Sequence, residues 1–461
     1  MTNNRKKYDA IIIGSGQAGN PLAFEYASRE LNVALIEKNY LGGSCINFGC
    51  TPSKALLASA NLNHRVKHSR ELGVKVENVE LDFKKVMKRK DEIVQAFREN
   101  IEEAIDDTDK IDLYKGVGSF IDRNTIKIKL NNGKEEIIEG DKIFINSGSK
   151  PNIIPIEGID DISYLDSTSI MELNESPEHL IIIGSGYIGI EFAQMFARFG
   201  SKVTVIGRSE NILKREDKDV SSRIQDILEK DNVNFLLETD TKRVKETNNG
   251  IEVYFERDEE ENSIIGSHIL LAVGRSPVTE ELNLEKVDMD INDRGYIIVD
   301  DTLKTSLDNI YALGDIIGGP KFTHIAYDDF RIVKDHLFGE GKRSKDGRLV
   351  PYTLFTDPQL GRVGLSEKEA REQGYDIEVS KIEMDKQGRP IEEGKTQGFM
   401  KAIINKENHQ ILGAAILGYQ GGELMAMIQI AMMGRVPYES LRDGIFTHPS
   451  LSETLNNLFS I

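Results

Sequence analysis

Cysteine is almost absent from this chain. Only Cys45 and Cys50 occur among 461 residues, too few for the disulfide framework of a secreted protein of this size. Both lie in one stretch, "GGSCINFGCTPSK" (42–54). Zinc takes four ligands and prefers closer pairs, and C-x4-C is not the C-x-x-C of thioredoxin-type motifs. A regular helix would hold the two apart. Five residues climb about 7.5 Å, whereas bonded cysteines have Cα atoms about 5.5–6 Å apart. If these sulfurs bond, the backbone between them is distorted. Gly49 and Pro52 suit that, because Pro52 has no N–H for the carbonyl of Phe48.

Basic excess is missing too. The balance of 58 Lys and Arg against 76 Asp and Glu leaves a net charge of −18. That argues against nucleic acid or an anionic membrane as partner, because phosphates need a basic surface. No apolar run reaches the roughly 18 residues of a membrane span. The longest helix-like one, "ELMAMIQIAMMG" (423–434), is expected to serve internal packing or subunit contact. The apolar core in "MTNNRKKYDAIIIGSG" is too short for a signal peptide. Low-complexity segments and short-period repeats are also lacking. The expected location is the cytoplasm, where an isolated thiol pair is more often catalytic than structural.

What is present is ordinary in bulk and specific in pattern. An apolar content of 39% with 29% charged residues is that of a globular protein, long enough for roughly three domains of about 150 residues. "YDAIIIGSGQAGNPLAFEYASRELNVALIEK" reads as strand, glycine turn, amphipathic helix and strand. Gly14, Gly16 and Gly19 fit G-x-G-x-x-G, which brings a pyrophosphate to a helix N-terminus. Glu37, ending the second strand, suits ribose hydroxyls. The unit recurs as "HLIIIGSGYIGIEFAQMFARFGSKVTVIGR" (179–208), with Gly184, Gly186 and Gly189. Its second strand ends in Gly207 and Arg208 instead of an acid. An arginine there, with Lys214 nearby, accepts a 2′-phosphate and favours NADP over NAD.

Between the two units lies a charged helix (82–110), then hairpin strands around "NNGK". "GSKPNIIPIEG" (148–158) and "AVGRSP" (272–277) read as crossings between domains. A polar linker (338–351) precedes an α+β region that runs to the end. "IYALGDIIGG" (310–319) carries Gly314 and Asp315 after a strand. Near the C-terminus, His448 precedes Pro449, and Glu453 is within reach of the imidazole, a general acid/base arrangement. The remaining histidines, His64 and His68 among them, are taken as ordinary residues.

Two dinucleotide motifs, a C-x4-C, a Gly-Asp strand and a C-terminal H-P-x-x-x-E together resemble the pyridine nucleotide–disulfide oxidoreductases. These include glutathione reductase, dihydrolipoamide dehydrogenase and mercuric reductase. The match spans about residues 7–459. "GQAGNPLA", "GCTPSKALLASA", "YDDFRIVKDHLFG" and "FTHPSLSETLNNLF" look most like the mercuric-reductase-like branch, which includes bacterial reactive-chlorine-resistance flavoproteins. The resemblance implies an α/β protein with two Rossmann-like domains and a C-terminal α+β dimerisation domain. FAD would bind 1–149 and 278–340, NADP(H) 150–277, and 349–461 would form a homodimer.

By the same resemblance, Gly14, Gly16, Gly19 and Glu37 would hold the ADP half of FAD. Asp315, after Gly314, would bind the ribitol, and Lys54, paired with Glu191, would lie by the flavin. Gly118 and Ser147, Gly148 and Ser149 match further FAD-contacting turns. NADPH would lie along Gly184–Glu191, including Ile188, with Tyr187 as the aromatic gate that nicotinamide displaces and Gly274 as a late contact. Cys45 and Cys50 would form a redox-active disulfide, Cys50 beside the flavin and Cys45 facing substrate. His448 and Glu453 would act across the subunit boundary.

The chain departs from relatives in three places. It lacks the C-terminal cysteine pair of mercuric reductases and keeps the His/Glu pair of disulfide reductases. Gly207 replaces the glutamate of dihydrolipoamide dehydrogenases. "INSGSKP" changes the usual alanine or threonine before Gly148. The expected activity is transfer of electrons from NADPH to a small disulfide. The alternatives are reduction of Hg(II) or Cu ions, an NAD-dependent dihydrolipoamide dehydrogenase, and a non-catalytic redox sensor. No resident metal is expected, and no motif names the acceptor.

Overall fold

Strands buried on both faces of a parallel sheet read as unbroken β-branched runs, and the two such runs after His or Tyr become central strands of separate sheets. The structure is a computed structural model and describes residues 5–257 and 259–461. The chain divides into two units. One takes the residues up to Ala55, Met87–Asn152 and Arg275–Arg348; the other takes Leu56–Val86, Ile153–Gly274 and Leu349–Ile461.

In the first unit Lys6–Ile13 pairs in parallel with Val33–Glu37 on one side and with Glu135–Ile145 on the other. Ile111–Asp122 and Ile310–Ala312 extend this sheet at its two ends. Ile111–Asp122 and Glu135–Ile145 are long enough to serve twice: their other halves pair antiparallel with Thr125–Leu130. One face of the parallel sheet packs Ile12, Leu35 and Phe144 against Leu22 and Tyr26 of helix Gly19–Ala27 and Phe330 and Val333 of helix Thr323–Phe338. The other packs Ile11, Ile13 and Ile36 against Phe120, Ile126 and Leu282.

The second unit holds a four-stranded parallel sheet, in the order His268–Leu271, His179–Ile183, Lys202–Ile206, Val233–Leu236. It also holds an antiparallel sheet of five strands, in the order Tyr352–Leu354, Gln359–Gly364, Ile411–Gly418, Phe399–Asn405, Ile377–Glu383. Met400, Ile416 and Phe459 lie in the core of the latter with Leu424 and Ile428 of helix Gly421–Met433. That helix is buried on one face only. On the other, Met427, Ile430 and Met433 are 39%, 69% and 67% exposed.

Helix Tyr187–Phe199 carries a polar stripe at helical spacing: Tyr187, Glu191, Gln194 and Arg198. Three of these dock on residues 355–358. Glu191 Oε1 accepts from the Phe355 N–H at 2.8 Å, Gln194 Oε1 from the Asp357 N–H at 2.8 Å. Arg198, 4% exposed at its side chain, pairs with Asp231 at 3.0 Å and Asp357 at 2.9 Å. Burial opposes ionisation of Asp357, but Arg198 and Lys395 outweigh it and hold its carboxyl below the ordinary value.

Arg198→Ala removes the guanidinium shared by two largely buried carboxylates, leaving Asp357 to Lys395 at 3.3 Å and Asp231 to Gln194 at 2.9 Å, and is expected to cost about 3 kcal/mol. The stability from a lowered carboxylate pKa is complete above the ordinary carboxylate range and is lost as pH falls through the lowered value. Denaturant midpoints should therefore show the full deficit at neutral pH, narrowing only as pH falls below about 4.

Candidate active site

The cysteine stretch forms two helices with a break between them. Gly43–Phe48 ends at Gly49, whose φ and ψ are −140° and −112°, and Cys50–Lys67 begins at the next residue. A Cβ on Gly49 would come 2.9 Å from the Ser44 carbonyl oxygen, so no larger residue fits this reversal undisturbed. Pro52 falls in the first turn of the second helix, where a missing N–H leaves no bond unmade. Ser53 caps the break, its hydroxyl donating to the Gly49 carbonyl at 2.7 Å. The short helix is pinned by Asn47, which donates to Leu41 O at 2.8 Å and Gly43 O at 2.9 Å.

The break brings the two sulfurs together. They stand as thiols, Cys45 half-buried and Cys50 exposed. The hydrogen bond to Cys50, then burial, pushes the Cys45 thiol up. Cys50 opens an 18-residue helix, whose N-terminus favours negative charge on its sulfur. Thr323 Oγ1, at the start of helix Thr323–Phe338, lies 3.4 Å from Cys50 Sγ. Thr323 had no motif to mark it. Lys54 follows Cys50 by one helical turn.

The first glycine turn is packed too closely for side chains. Gly14 has φ +103°, and a Cβ there would lie 2.3 Å from Asn146 O; one on Gly19 would lie 2.0 Å from Gly14 O. Glu37 Oε2 accepts from the Ser15 N–H at 3.0 Å and the Ser15 hydroxyl at 2.7 Å. Asn146, the altered residue of "INSGSKP", joins the turn to the Gly-Asp strand: its Oδ1 accepts from the Gly19 N–H at 3.0 Å and its Nδ2 donates to Leu313 O at 2.8 Å. Ser149 donates to Asp315 Oδ2 at 2.6 Å and accepts from Arg275 Nε at 2.8 Å. Ser147 donates to Val278 O at 2.8 Å, beside Gly148 at φ +75°.

Gly118 does not sit in a turn as expected. It is mid-strand in Ile111–Asp122, opposite Ile128, and a Cβ there would come 3.1 Å from Ile36 Cδ1. Strand packing therefore explains this glycine. The other residues fit FAD: the cradle admits backbone approach, Glu37 and Asp315 supply acceptors, and Asn20 leaves its Oδ1 buried without a hydrogen bond. An amide in that position can turn to offer its NH2 group.

The second glycine turn repeats the construction in the other unit, with Gly184 Cβ excluded by Ala272 O at 2.5 Å and Gly189 Cβ by Gly184 O at 2.3 Å. Gly186 faces open space, and Gly274 has φ +112°. Ile188 is exposed in the first helical turn beside Tyr187. A Cβ at Gly207 would meet Ser185 Oγ at 2.7 Å, so an acidic residue there requires Ser185 to turn away. Arg208 and Lys214 are exposed on the following loop, joined by Arg215, which motif reading missed. In the same unit His448 Nδ1 lies 2.8 Å from Glu453 Oε2, with the imidazole 75% exposed. Among the described residues no cluster of three or more His, Cys, Asp or Glu is placed to hold a metal ion. None of their helices is long and apolar enough to cross a membrane.

Because Asn146 and Ser149 hold the turn and Asp315, Asn146→Ala and Ser149→Ala should each weaken FAD retention about tenfold, one to two hydrogen bonds' worth. The ratio of flavin to protein absorbance after dialysis against chaotropic salt checks this.

Comparison with known proteins agrees with this geometry. The chain matches the Pyridine nucleotide-disulphide oxidoreductase family over residues 8–329 and that family's dimerisation domain over residues 350–459, which supports a homodimer. It is 40% identical over 459 residues to the probable pyridine nucleotide-disulfide oxidoreductase RclA of Escherichia coli K12, covering 99% of both chains. It is 33% identical to a mercuric reductase of Staphylococcus aureus, covering 98% of this chain and 82% of that one. The solved Cu(II) complex of the HOCl-induced flavoprotein disulfide reductase RclA from Escherichia coli superposes with a TM-score of 0.90 at 39% identity, over 99% of each chain. The chain belongs to the pyridine nucleotide-disulphide oxidoreductase family, whose members are flavoprotein enzymes working with FAD and NAD(P)H.

Proposed function

We propose that the protein is a cytoplasmic, homodimeric, NADPH-dependent reductase of a small disulfide. The observation that carries this reading is the dithiol itself: two sulfurs in contact, one drawn toward the thiol form, the other at a helix N-terminus beside Thr323. When bound, FAD supplies the two-electron link between NADPH and the cysteine pair. In the first half of the exchange, Cys45 loses its proton to His448 reaching across the subunit boundary, and its thiolate attacks one sulfur of the substrate. A mixed disulfide forms and the other half of the substrate leaves as a thiolate, which His448 protonates while Glu453 orients the imidazole. Cys50 then gives up its proton and attacks Cys45, the second half leaves as a thiolate that takes up that proton, and the Cys45–Cys50 disulfide closes. One substrate disulfide becomes two thiols, and two protein thiols become one disulfide.

On this reading residues 1–149 and 278–340 bind FAD, 150–277 bind NADPH and 349–461 dimerise. Arg208 and Lys214 supply the charge for a 2′-phosphate, and the crowding at Gly207 disfavours the acid of an NAD-dependent dihydrolipoamide dehydrogenase. A second reading, reduction of Cu(II) or Hg(II) at the same pair, is favoured by the Cu(II) complex of the related RclA. Soft thiolates suit both metals. The ion would have to work with this pair alone, since the chain has no other cysteine.

Stopped-flow reduction by NADPH, then turnover with a panel of disulfides and metal ions, tests both readings. Cys45→Ser should keep flavin reduction and lose disulfide turnover; full turnover by that variant would remove Cys45 from its role. Stoichiometric oxidation without turnover on any acceptor would leave a redox sensor. His448→Gln should lower kcat about 100-fold at pH 7. Because Cys45 is held toward the thiol form, the deficit should narrow as pH rises and solvent takes over deprotonation. Arg208→Ala should raise KM for NADPH about tenfold and leave NADH unchanged, the loss of one charge-assisted phosphate contact.

A further inference from the structure

The hydroxyl of Tyr187 does not end in solvent. It donates to Glu216 Oε1 at 2.7 Å, and Tyr352 donates to the same oxygen at 2.6 Å. The two rings stand edge-on, centroids 5.6 Å apart and planes at 80°. The second oxygen, Glu216 Oε2, lies 3.0 Å from Arg362 Nε, with the Glu216 and Arg362 side chains 0% and 4% exposed. Arg362 is itself braced on strand Ile411–Gly418 through Ala414 O at 2.9 Å. Burial first, then the charge of Glu216, raises both phenols, Tyr352 to about 12, so each remains a donor at neutral pH.

A buried carboxylate that loses its only partner is heavily penalised. Glu216 is not in that position. If Tyr187 swings away, Tyr352 still hydrogen-bonds Oε1, and the guanidinium of Arg362 still balances the charge from 3.0 Å beside Oε2, although that atom makes no hydrogen bond. Glu216 also ends the loop that carries Arg208 and Lys214, and that loop is tied back to the glycine turn by the Leu213 N–H to Ser185 O at 2.9 Å.

We infer that Glu216 is the latch of the Tyr187 gate, and that Tyr352 and Arg362 are positioning residues which keep it filled while the gate is open. This rests on reading Tyr187 as the ring that nicotinamide displaces. The latch sets an energy difference between closed and open gate equal to one hydrogen bond and the ring's packing, with no buried charge left bare. It acts on nicotinamide entry and not on the adenylate end of the same nucleotide.

That asymmetry gives the test. Calorimetric Kd values are measured on the FAD-loaded protein for NADP+ and for 2′,5′-ADP, which lacks nicotinamide and does not require the gate to open. Tyr187→Phe keeps the ring and removes the latch bond, so NADP+ should bind about fivefold tighter with 2′,5′-ADP unchanged. Tyr352→Phe removes the standby donor, so NADP+ should bind about fivefold weaker, again with 2′,5′-ADP unchanged, which also reports an intact fold. NADP+ affinity unaltered in both variants, or both ligands shifting together, would overturn the latch. Wild-type protein that binds neither ligand would overturn the nucleotide reading beneath it, and the latch with it.

Discussion

Dithiol chemistry requires two sulfurs to touch while their chain neighbours point apart, and a continuous helix denies this. The break at Gly49 resolves the conflict with one residue. Cys45 stays on a short helix fastened through Asn47, whose amide is also bound by Arg98. Cys50 becomes the first residue of a much longer helix and gains its N-terminal field. The same distortion that makes contact thus makes the sulfurs unequal. Inequality is what an exchange reaction needs, since one thiol must attack substrate and the other must resolve the mixed disulfide.

In the second unit a single rigid element carries several duties. Helix Tyr187–Phe199 begins at the second glycine turn, presents Tyr187 in its first turn, and anchors Glu191, Gln194 and Arg198 along one face. Its N-terminus is the end proposed to meet the nucleotide phosphates, while its far end sits in a buried charge network with Asp231 and Asp357. Small movements at the nucleotide end are therefore resisted along the whole helix. The proposed gate would answer this by moving a side chain, and the Glu216 arrangement would let it do so without disturbing the backbone.

Local patterns were readable from the sequence where physics is local. Glycine turns between strand and helix, the crowding that requires Gly14 and Gly49, and the missing acid at Gly207 are all set within a few residues. Residues that act across distance had no such mark. Asn146 meets Gly19, Tyr187 meets Tyr352, and Cys50 meets Thr323 only after the chain has folded. A single Asn, Tyr or Thr has no period or spacing to betray it. Gly118 differs in another way: expected in a turn, it lies mid-strand, where a Cβ would crowd Ile36. Strand order was equally hidden, because Ile111–Asp122 and Glu135–Ile145 each pair with different partners along their lengths.

The half-buried helix Gly421–Met433 has a consequence of its own. Met427, Ile430 and Met433 leave an apolar row on a domain whose family role is association. Such a row is unfavourable in water, and on a dimerising domain it is the kind of surface that a second chain can cover. Where a second chain does cover it, folding and assembly share one free-energy balance, and measured stability depends on how much protein is in the tube. Any stability that assembly contributes falls on dilution, so two preparations with identical sequences are comparable only at matched concentration.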